Sequence, residues 1–225
     1  MGIHEDAEQG LLVGDGLEKY TKDNPSILEE RNPKNGLTPL AAATVGGYNE
    51  EIEELLNKGA KADTLCRDGE TPLLLAAWKT KDNRPRIIQL ILGKTPASFI
   101  DVTTPIAENN TPLMFVVKKK DIESIRLLRK ANASLTLKNN EGINAKDMAE
   151  ATEDKAVLRA LNPAQEESAL AYITSAVVGA LLYVVAWVNE NAKEVVRRVY
   201  GLNPYLEKET DDVSTRFLIS IKEIV

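Results

Sequence analysis

The apolar positions in the first two thirds of the chain fall into pairs of short helical segments separated by polar turns. In the first pair, an alanine-rich run over residues 39–45 is followed by Ile52, Leu55 and Leu56. The last three recur at the three- and four-residue spacing of one helix face. The same succession returns twice downstream. The pattern predicts consecutive pairs of short helices.

A tripeptide opens each of these pairs. Thr38-Pro39-Leu40 returns as Thr71-Pro72-Leu73 and Thr111-Pro112-Leu113, and Asn144-Ala145-Lys146 occupies the equivalent place, at spacings of 33, 40 and 33 residues. Threonine before proline is a helix N-cap signal, and proline suits the first helical turn because it has no amide to leave unbonded. With this period and tripeptide, residues 17–161 resemble the ankyrin-repeat family.

The resemblance implies an all-α fold, an ankyrin-repeat solenoid of helix-turn-helix repeats with hairpin loops and an N-terminal cap. Residues 1–16 are expected to form a flexible N-terminus. Residues 162–225, where the periodicity changes, are expected to form a helical C-terminal extension. The second repeat is seven residues longer than the first, and the extra residues are predicted within 79–108, above all in a finger loop at 93–108.

The family usually carries a histidine directly after the tripeptide, and this chain does not. Its four equivalent residues are Ala41, Leu74, Met114 and Asp147. The hydrogen bonds that this histidine would donate between neighbouring repeats are therefore expected to be missing.

A long apolar run in the C-terminal third supports two interpretations. Residues 169–188 carry no charge over twenty positions, which is long enough to span a bilayer. The run is also rich in alanine, and it fits equally well a helix that is buried against the repeats, since both kinds of helix are apolar all round. The chain ends on Ile224 and Val225, in phase with the apolar side of a predicted last helix, which fits either a fragment of a longer protein or a packed helix tip.

Composition narrows the chemistry that the chain can perform. Among 225 residues there is one histidine, His4, and one cysteine, Cys66. These cannot supply a His/Cys metal site or an internal disulfide, and no phosphate-binding glycine loop or nucleophile motif is present. The sequence therefore predicts no catalytic residue, no metal and no cofactor, so the protein is predicted not to be an enzyme.

Charge, aromatic content and signals bear on partners and location. A net charge of −6 and an aromatic content of 5% argue against nucleic acid as a partner. The lone thiol and the absence of a secretory signal favour the cytoplasm. The predicted function is a protein-protein interaction module, and the alternative is a membrane-tethered ankyrin adaptor that spans with residues 169–188.

The family binds partner proteins through its hairpin tips and the concave face of its first helices. Carried over by position, the candidate partner-binding residues lie in the second and third repeats: Leu65, Arg67, Asp68, Glu70, Trp78, Lys79, Lys118 and Lys119. Trp78 leads this group because tryptophan at an exposed concave position is a frequent interface anchor. The alternative is that Trp78 packs over the long loop of its own repeat.

The charges are unevenly distributed along the chain. Residues 1–60 carry 5 basic and 12 acidic side chains, residues 61–150 carry 15 and 11, and residues 151–225 carry 8 and 11. The residues expected to form one basic patch are Lys79, Lys81, Arg84, Arg86, Lys118, Lys119 and Lys120. Such a patch would attract an acidic segment of a partner protein, whereas the simpler interpretation is a solvated edge.

Overall fold

A computed structural model describes residues 2–22, 24–162 and 177–178. Their longer helices are α1 (Ile3–Glu8), α2 (Asp15–Thr21), α3 (Pro39–Gly46), α4 (Asn49–Asn57), α5 (Pro72–Trp78), α6 (Arg84–Leu92), α7 (Pro112–Lys118), α8 (Ile122–Lys130), α9 (Ala145–Ala151) and α10 (Lys155–Leu161). Three short 3-10 helices cover Pro25–Glu29, Ala97–Phe99 and Pro105–Ala107. All of these belong to the first of two units into which the chain divides, Met1–Gln165 and Glu166–Val225.

The predicted C-terminal extension falls almost entirely outside this description. Of residues 162–225, only 162, 177 and 178 are described, so the predicted extension and the predicted span at 169–188 stay predictions. Within the described part of the chain, no helix has the length and apolar character needed to cross a membrane.

Four helix pairs follow one another from α3 to α10. The first helices, α3, α5, α7 and α9, pack side by side in one row, and the second helices, α4, α6, α8 and α10, pack in another. Each pair therefore contacts the pairs before and after it, which is the architecture of a solenoid. The predicted all-α repeat fold is confirmed, and the described residues contain one isolated β-bridge, Lys138 to Asn144, but no strand.

Side-chain caps begin the first helices, as the tripeptides predict. The hydroxyls of Thr38, Thr71 and Thr111 each accept a hydrogen bond from the backbone amide three residues later, at 3.1–3.3 Å. Asn144 caps α9 in the same way, at 2.9 Å. Each cap satisfies an amide that the first turn of a helix leaves without a partner, a contribution of about 1 kcal/mol.

The seven extra residues of the second repeat divide between two loops. The first residue of α6 follows that of α5 by twelve positions, whereas the same step is ten positions from α3 to α4 and from α7 to α8. From α6 to α7 the step is 28 positions, whereas it is 23 from α4 to α5 and from α8 to α9. Two extra residues therefore lie between α5 and α6, and five lie in the loop at 93–111. The larger share falls in the predicted finger loop.

This long loop is anchored to the segment that follows α8. Ile100, Thr104 and Ala107 are buried, and the carboxylate of Asp101 accepts the backbone amide of Ser134 at 3.0 and 3.1 Å. Part of the insertion thus packs into the core, and α5 still packs on α7 and α6 on α8.

The N-terminus differs from the predicted flexible segment over residues 1–16. Helix α1 packs on α3, and Ile3, Ala7 and Leu12 are buried. These few apolar residues are separated by polar ones, and a six-residue helix is too short to show a period. Tertiary contacts, which the local sequence does not reveal, therefore order a segment that would not be helical alone.

Buried carboxylates hold this N-terminal segment in place. Asp6 of α1 accepts hydrogen bonds from the Tyr20 hydroxyl at 2.7 Å and from the Lys19 ammonium at 3.0 Å, and these bonds lower its pKa. Glu51 of α4, 1% exposed, accepts the backbone amide of Leu12 at 3.2 Å. Burial raises the pKa of Glu51 to about 7.

We expect Glu51 to make the protein less stable as the pH rises. The unfolded chain releases the Glu51 proton near its ordinary pKa of 4.5, whereas the folded chain holds it until about pH 7. The contribution of Glu51 to the free energy of unfolding should therefore fall by about 2 kcal/mol from pH 5.5 to pH 8.5. Urea unfolding of the wild type and of Glu51→Gln at both pH values measures this change in the free energy of unfolding.

The quantity to compare is the difference between these two proteins at each pH. His4 acts in the opposite direction, because burial lowers its pKa and its contribution rises with pH, but it is common to both proteins. A difference that stays constant from pH 5.5 to pH 8.5 would contradict the burial of the Glu51 carboxyl group.

Candidate functional site

Trp78 lies at the last position of α5 and bridges two repeats. Its ring is half-buried and stacks on the ring of Phe115 in α7, with centroids 5.5 Å apart and planes 18° apart. The ammonium of Lys79 lies 4.5 Å from the centroid of the Trp78 ring. The ring is thus held by the following repeat and by a cation, rather than by the long loop of its own repeat alone.

Trp78 belongs to a row of residues that crosses three repeats. Val45, Trp78 and Lys118 each follow the capping threonine of their repeat by seven positions, in the last turns of α3, α5 and α7. Because these first helices pack side by side, the three side chains lie on neighbouring helices at one level. Val45 and Trp78 are half-buried, and Lys118 is exposed.

Lys119 has a structural contact that the sequence does not reveal. Its ammonium donates hydrogen bonds to the carbonyl oxygens of Ala77 at 3.0 Å and Trp78 at 2.5 Å, which belong to the last turn of α5. The last carbonyls of a helix have no partner within it, so Lys119 caps α5 from the next repeat. Burial lowers the pKa of Lys119.

The tip of the second hairpin is tied to the first. The guanidinium of Arg67 donates to the carbonyl of Pro33 at 2.6 Å, and its backbone amide donates to the carbonyl of Gly36 at 3.1 Å. Leu65 and Asp68 are exposed beside it. Three of the predicted tip residues therefore lie together on one surface of an ordered loop.

Glu70 lies elsewhere than the sequence predicts. It is 3% exposed and does not point from the tip. Its carbonyl accepts the amide of Cys66 at 2.8 Å, which closes the hairpin and places Glu70 at the base of the loop. Its carboxylate lies 3.9 Å from the ammonium of Lys79, so it helps to position that residue. The expectation that Glu70 is an exposed tip residue is wrong.

Most residues of the predicted basic patch form ion pairs with acidic side chains or hydrogen bonds to backbone carbonyls. The ion pairs are Lys79 to Glu70 at 3.9 Å, Arg84 to Asp121 at 2.9 Å, Arg86 to Glu53 at 3.6 Å and Lys120 to Asp154 at 3.8 Å. Within the described residues, Lys81 and Lys118 form no ion pair. The patch is therefore much less positive than the sequence alone indicates.

The Arg84 pair joins the second and third repeats at the loops between their two helices. Both side chains of this pair are 14% exposed, and Arg84 donates a second bond to the carbonyl of Thr80 at 2.6 Å. Thr80 in turn donates to the carbonyl of Thr44 in the first repeat at 2.8 Å. These bonds therefore link the second repeat to both the first and the third.

The acidic, histidine and cysteine side chains of the described residues were compared with the requirements of a metal site. None of their His, Cys, Asp and Glu side chains form a group of three or more that could hold a metal ion. Cys66 is buried, and burial raises its pKa to about 11, so the thiol stays protonated at neutral pH.

Phe115 is the residue of this surface that sequence reasoning missed. It follows Thr111 by four positions, where the first and second repeats carry Ala42 and Leu75. An aromatic residue at that position of α7, beside the helix that ends on Trp78, is the sequence signal that could have identified the stack.

We expect Lys119 and Lys118 to differ in their effects on stability. Lys119→Met removes the hydrogen bonds to the end of α5 and should lower the free energy of unfolding by about 1 kcal/mol. Lys118→Met, at the adjacent exposed position, should change it by less than about 0.5 kcal/mol. Urea unfolding at pH 7 compares the two, and equal losses would contradict the capping role of Lys119.

Comparison with known proteins agrees with this architecture. Residues 11–104 match the family model described as ankyrin repeats, three copies. The chain is also 31% identical over 99 residues to the Ankyrin repeat and KH domain-containing protein mask-1 of Caenorhabditis elegans, a match that covers 44% of this chain. It is 27% identical over 117 residues to the Tyrosine-protein kinase HTK16 of Hydra vulgaris, a match that covers 51% of this chain.

Both relatives are much longer than the matched region. The matches cover 4% of the Caenorhabditis elegans protein and 14% of the Hydra vulgaris protein. The similarity therefore concerns the repeats and leaves most of each relative uncompared.

Proposed function

Because this chain is an ankyrin-repeat protein, we propose that it binds another protein, without catalysis, through the concave face and hairpin tips of its second and third repeats. Ankyrin repeats in general mediate protein-protein interaction. The observation that carries the proposal is the stack of Trp78 on Phe115, which presents a rigid, half-buried aromatic ring in the row of first helices. Rigid aromatic residues of this kind are typical anchors of interfaces.

The neighbours of Trp78 take two different parts in this proposal. Lys79, Lys118 and the tip residues Leu65, Arg67 and Asp68 contact the partner directly. Glu70 and Lys119 contribute indirectly. Glu70 positions Lys79, and Lys119 holds the end of the helix that carries Trp78.

The partner segment that fits this surface is acidic. The ammonium of Lys79 lies over the ring of Trp78, and Lys118 follows in the same row without an ion pair among the described residues. These two cations attract a complementary segment over distances near the Debye length of about 8 Å at physiological salt. We propose that this interaction takes place in the cytoplasm. The single cysteine is buried and the chain can form no internal disulfide, which is typical of proteins in a reducing compartment.

Trp78→Ala should abolish capture of the specific partner. Loss of a central aromatic anchor costs about 2 kcal/mol, or roughly 30-fold in affinity. Immobilised wild type, Trp78→Ala and Trp78→Phe are compared in extracts of the source cells by quantitative mass spectrometry. Trp78→Phe keeps a ring to stack on Phe115 and should retain most of the captured protein.

Circular dichroism of the three proteins serves as the folding control. A set of captured proteins that is the same for wild type and Trp78→Ala, with both folded, would contradict the proposed concave surface.

Lys118→Glu should weaken binding of the captured partner and reduce its dependence on salt. The reversed charge repels an acidic segment, so the affinity at 0.05 M salt should fall by about tenfold, and less at 0.5 M. Lys130→Glu, an exposed charge reversal in the second-helix row, is the matched control. Equal affinities of wild type and Lys118→Glu at low salt, measured by calorimetry, would remove the acidic segment from the proposal.

A further inference from the structure

The first hairpin contains the one asparagine-glycine pair of the chain, Asn35-Gly36. Such a pair is chemically reactive, because the backbone nitrogen of the residue after an asparagine can attack its side-chain carbonyl carbon. A glycine hinders this attack least, since it has no Cβ and the backbone around it turns freely. The side chain of Asn35 is exposed, so water reaches it.

The neighbouring hairpin requires a glycine after Asn35. Gly36 has a φ of +74°, a left-handed conformation that residues with a Cβ rarely adopt, and a Cβ there would lie 2.3 Å from the Cβ of Arg67. The backbone amide of Arg67 also donates to the carbonyl of Gly36 at 3.1 Å. The packing of the second hairpin on the first therefore keeps the reactive pair in the chain.

The side chain of Asn35 forms two hydrogen bonds with different requirements. Its Oδ1 accepts the backbone amide of Leu37 at 3.0 Å, a bond that an aspartate could also form. Its Nδ2 donates to Oε1 of Glu8, the last residue of α1, at 2.7 Å, and Nδ2 of Asn32 donates to the same oxygen at 3.0 Å. The amide group of Asn35 thus serves to dock α1 on the first hairpin.

We propose that Asn35 is a site of spontaneous deamidation, and that its conversion weakens the docking of α1 on the first hairpin. The backbone nitrogen of Gly36 loses its proton to solvent and bonds to Cγ of Asn35, and Nδ2 leaves as ammonia. The resulting succinimide ring is opened by water at either carbonyl, which yields aspartate or isoaspartate. One water is consumed and one ammonia is released, with no change of oxidation state.

The folded hairpin controls the rate of this reaction. The amide of Gly36 donates to the carbonyl of Asn32 at 2.7 Å, and ring closure requires this bond and both side-chain bonds of Asn35 to break. The reaction therefore proceeds through local opening of the hairpin, and is slower than in the unfolded chain. Because Glu8 holds Nδ2, release of α1 accelerates it.

The product changes the contact with α1. A carboxylate at position 35 has no proton to donate to Glu8 at neutral pH, and two carboxylates at hydrogen-bond distance repel each other. Asp6 of α1 keeps its bonds to Lys19 and Tyr20. We therefore expect α1 to open more often while the array of repeats stays folded.

The rate of conversion tests the reactive site. The full chain is incubated at pH 8, folded or in urea, and conversion at Asn35 is followed by peptide mapping with mass spectrometry. Glu8→Ala should accelerate conversion of the folded chain by about threefold or more. Glu18→Ala, an exposed residue of α2 without a described bond to the hairpin, should react as wild type does. Circular dichroism confirms that both variants are folded.

The aspartate variant tests the release of α1. Asn35→Asp should accelerate hydrogen exchange of the amides of Asp6, Gln9 and Leu11, which bond within the N-terminal segment, by about fivefold, and less at high salt. Glu8→Gln combined with Asn35→Asp should restore slow exchange, because the new amide donates to the new carboxylate. Asn140→Asp is the matched control, since its side-chain oxygen accepts from Asn109 at 2.7 Å in the fourth hairpin.

Four results would overturn the proposal. For the reaction, these are no conversion of the folded chain over a period that converts the unfolded chain, and equal rates for wild type and Glu8→Ala. For the release, they are unchanged exchange in Asn35→Asp and fast exchange that persists in the double variant. All of them are independent of partner capture through Trp78, so the failure of one proposal leaves the other standing.

Discussion

Each helix pair of this chain has apolar sides that only its neighbours can cover. The first helices of the first three repeats are short and mostly buried; in α5, every residue from Pro72 to Ala77 is buried. A seven-residue helix is not stable alone in water, so its formation depends on the helices packed beside it. The ion pair of Arg84 and Asp121 and the hydrogen bonds of Lys119 to the end of α5 both lie at these interfaces. The stability of the array is therefore a property of junctions between repeats rather than of the repeats themselves.

The same junctions position the surface proposed to bind a partner. Trp78 ends a helix of the second repeat, yet the ring beneath it and the cation that caps its helix come from the third. The proposed anchor thus exists only when both repeats are folded and adjacent. By contrast, the contacts of Glu51 depend on the N-terminal segment, which packs on the first repeat.

The tripeptides and the 33-residue period were sufficient to predict the helix pairs, the caps and the repeat fold. These features depend on local helix-forming preferences and on a repeating pattern, so they can be predicted from a single sequence. The N-terminal helix was not predictable in that way, since Ile3 and Ala7 acquire their role only from contact with α3. The site was predicted in part. The position of Trp78 follows from the register, whereas the burial of Glu70 and the capping bonds of Lys119 depend on how loops close in three dimensions.

The location of Trp78 at a junction gives the protein an internal optical probe. Its ring is the one tryptophan of the described residues, since Trp187 lies outside them, and it belongs to the middle of the array. Separation of the second repeat from the third would unstack the ring from Phe115 and expose it to water, even while each helix pair kept some structure. In a chain with Trp187 replaced by phenylalanine, its fluorescence would therefore report whether this central junction opens, and would distinguish fracture at the centre from fraying at the ends.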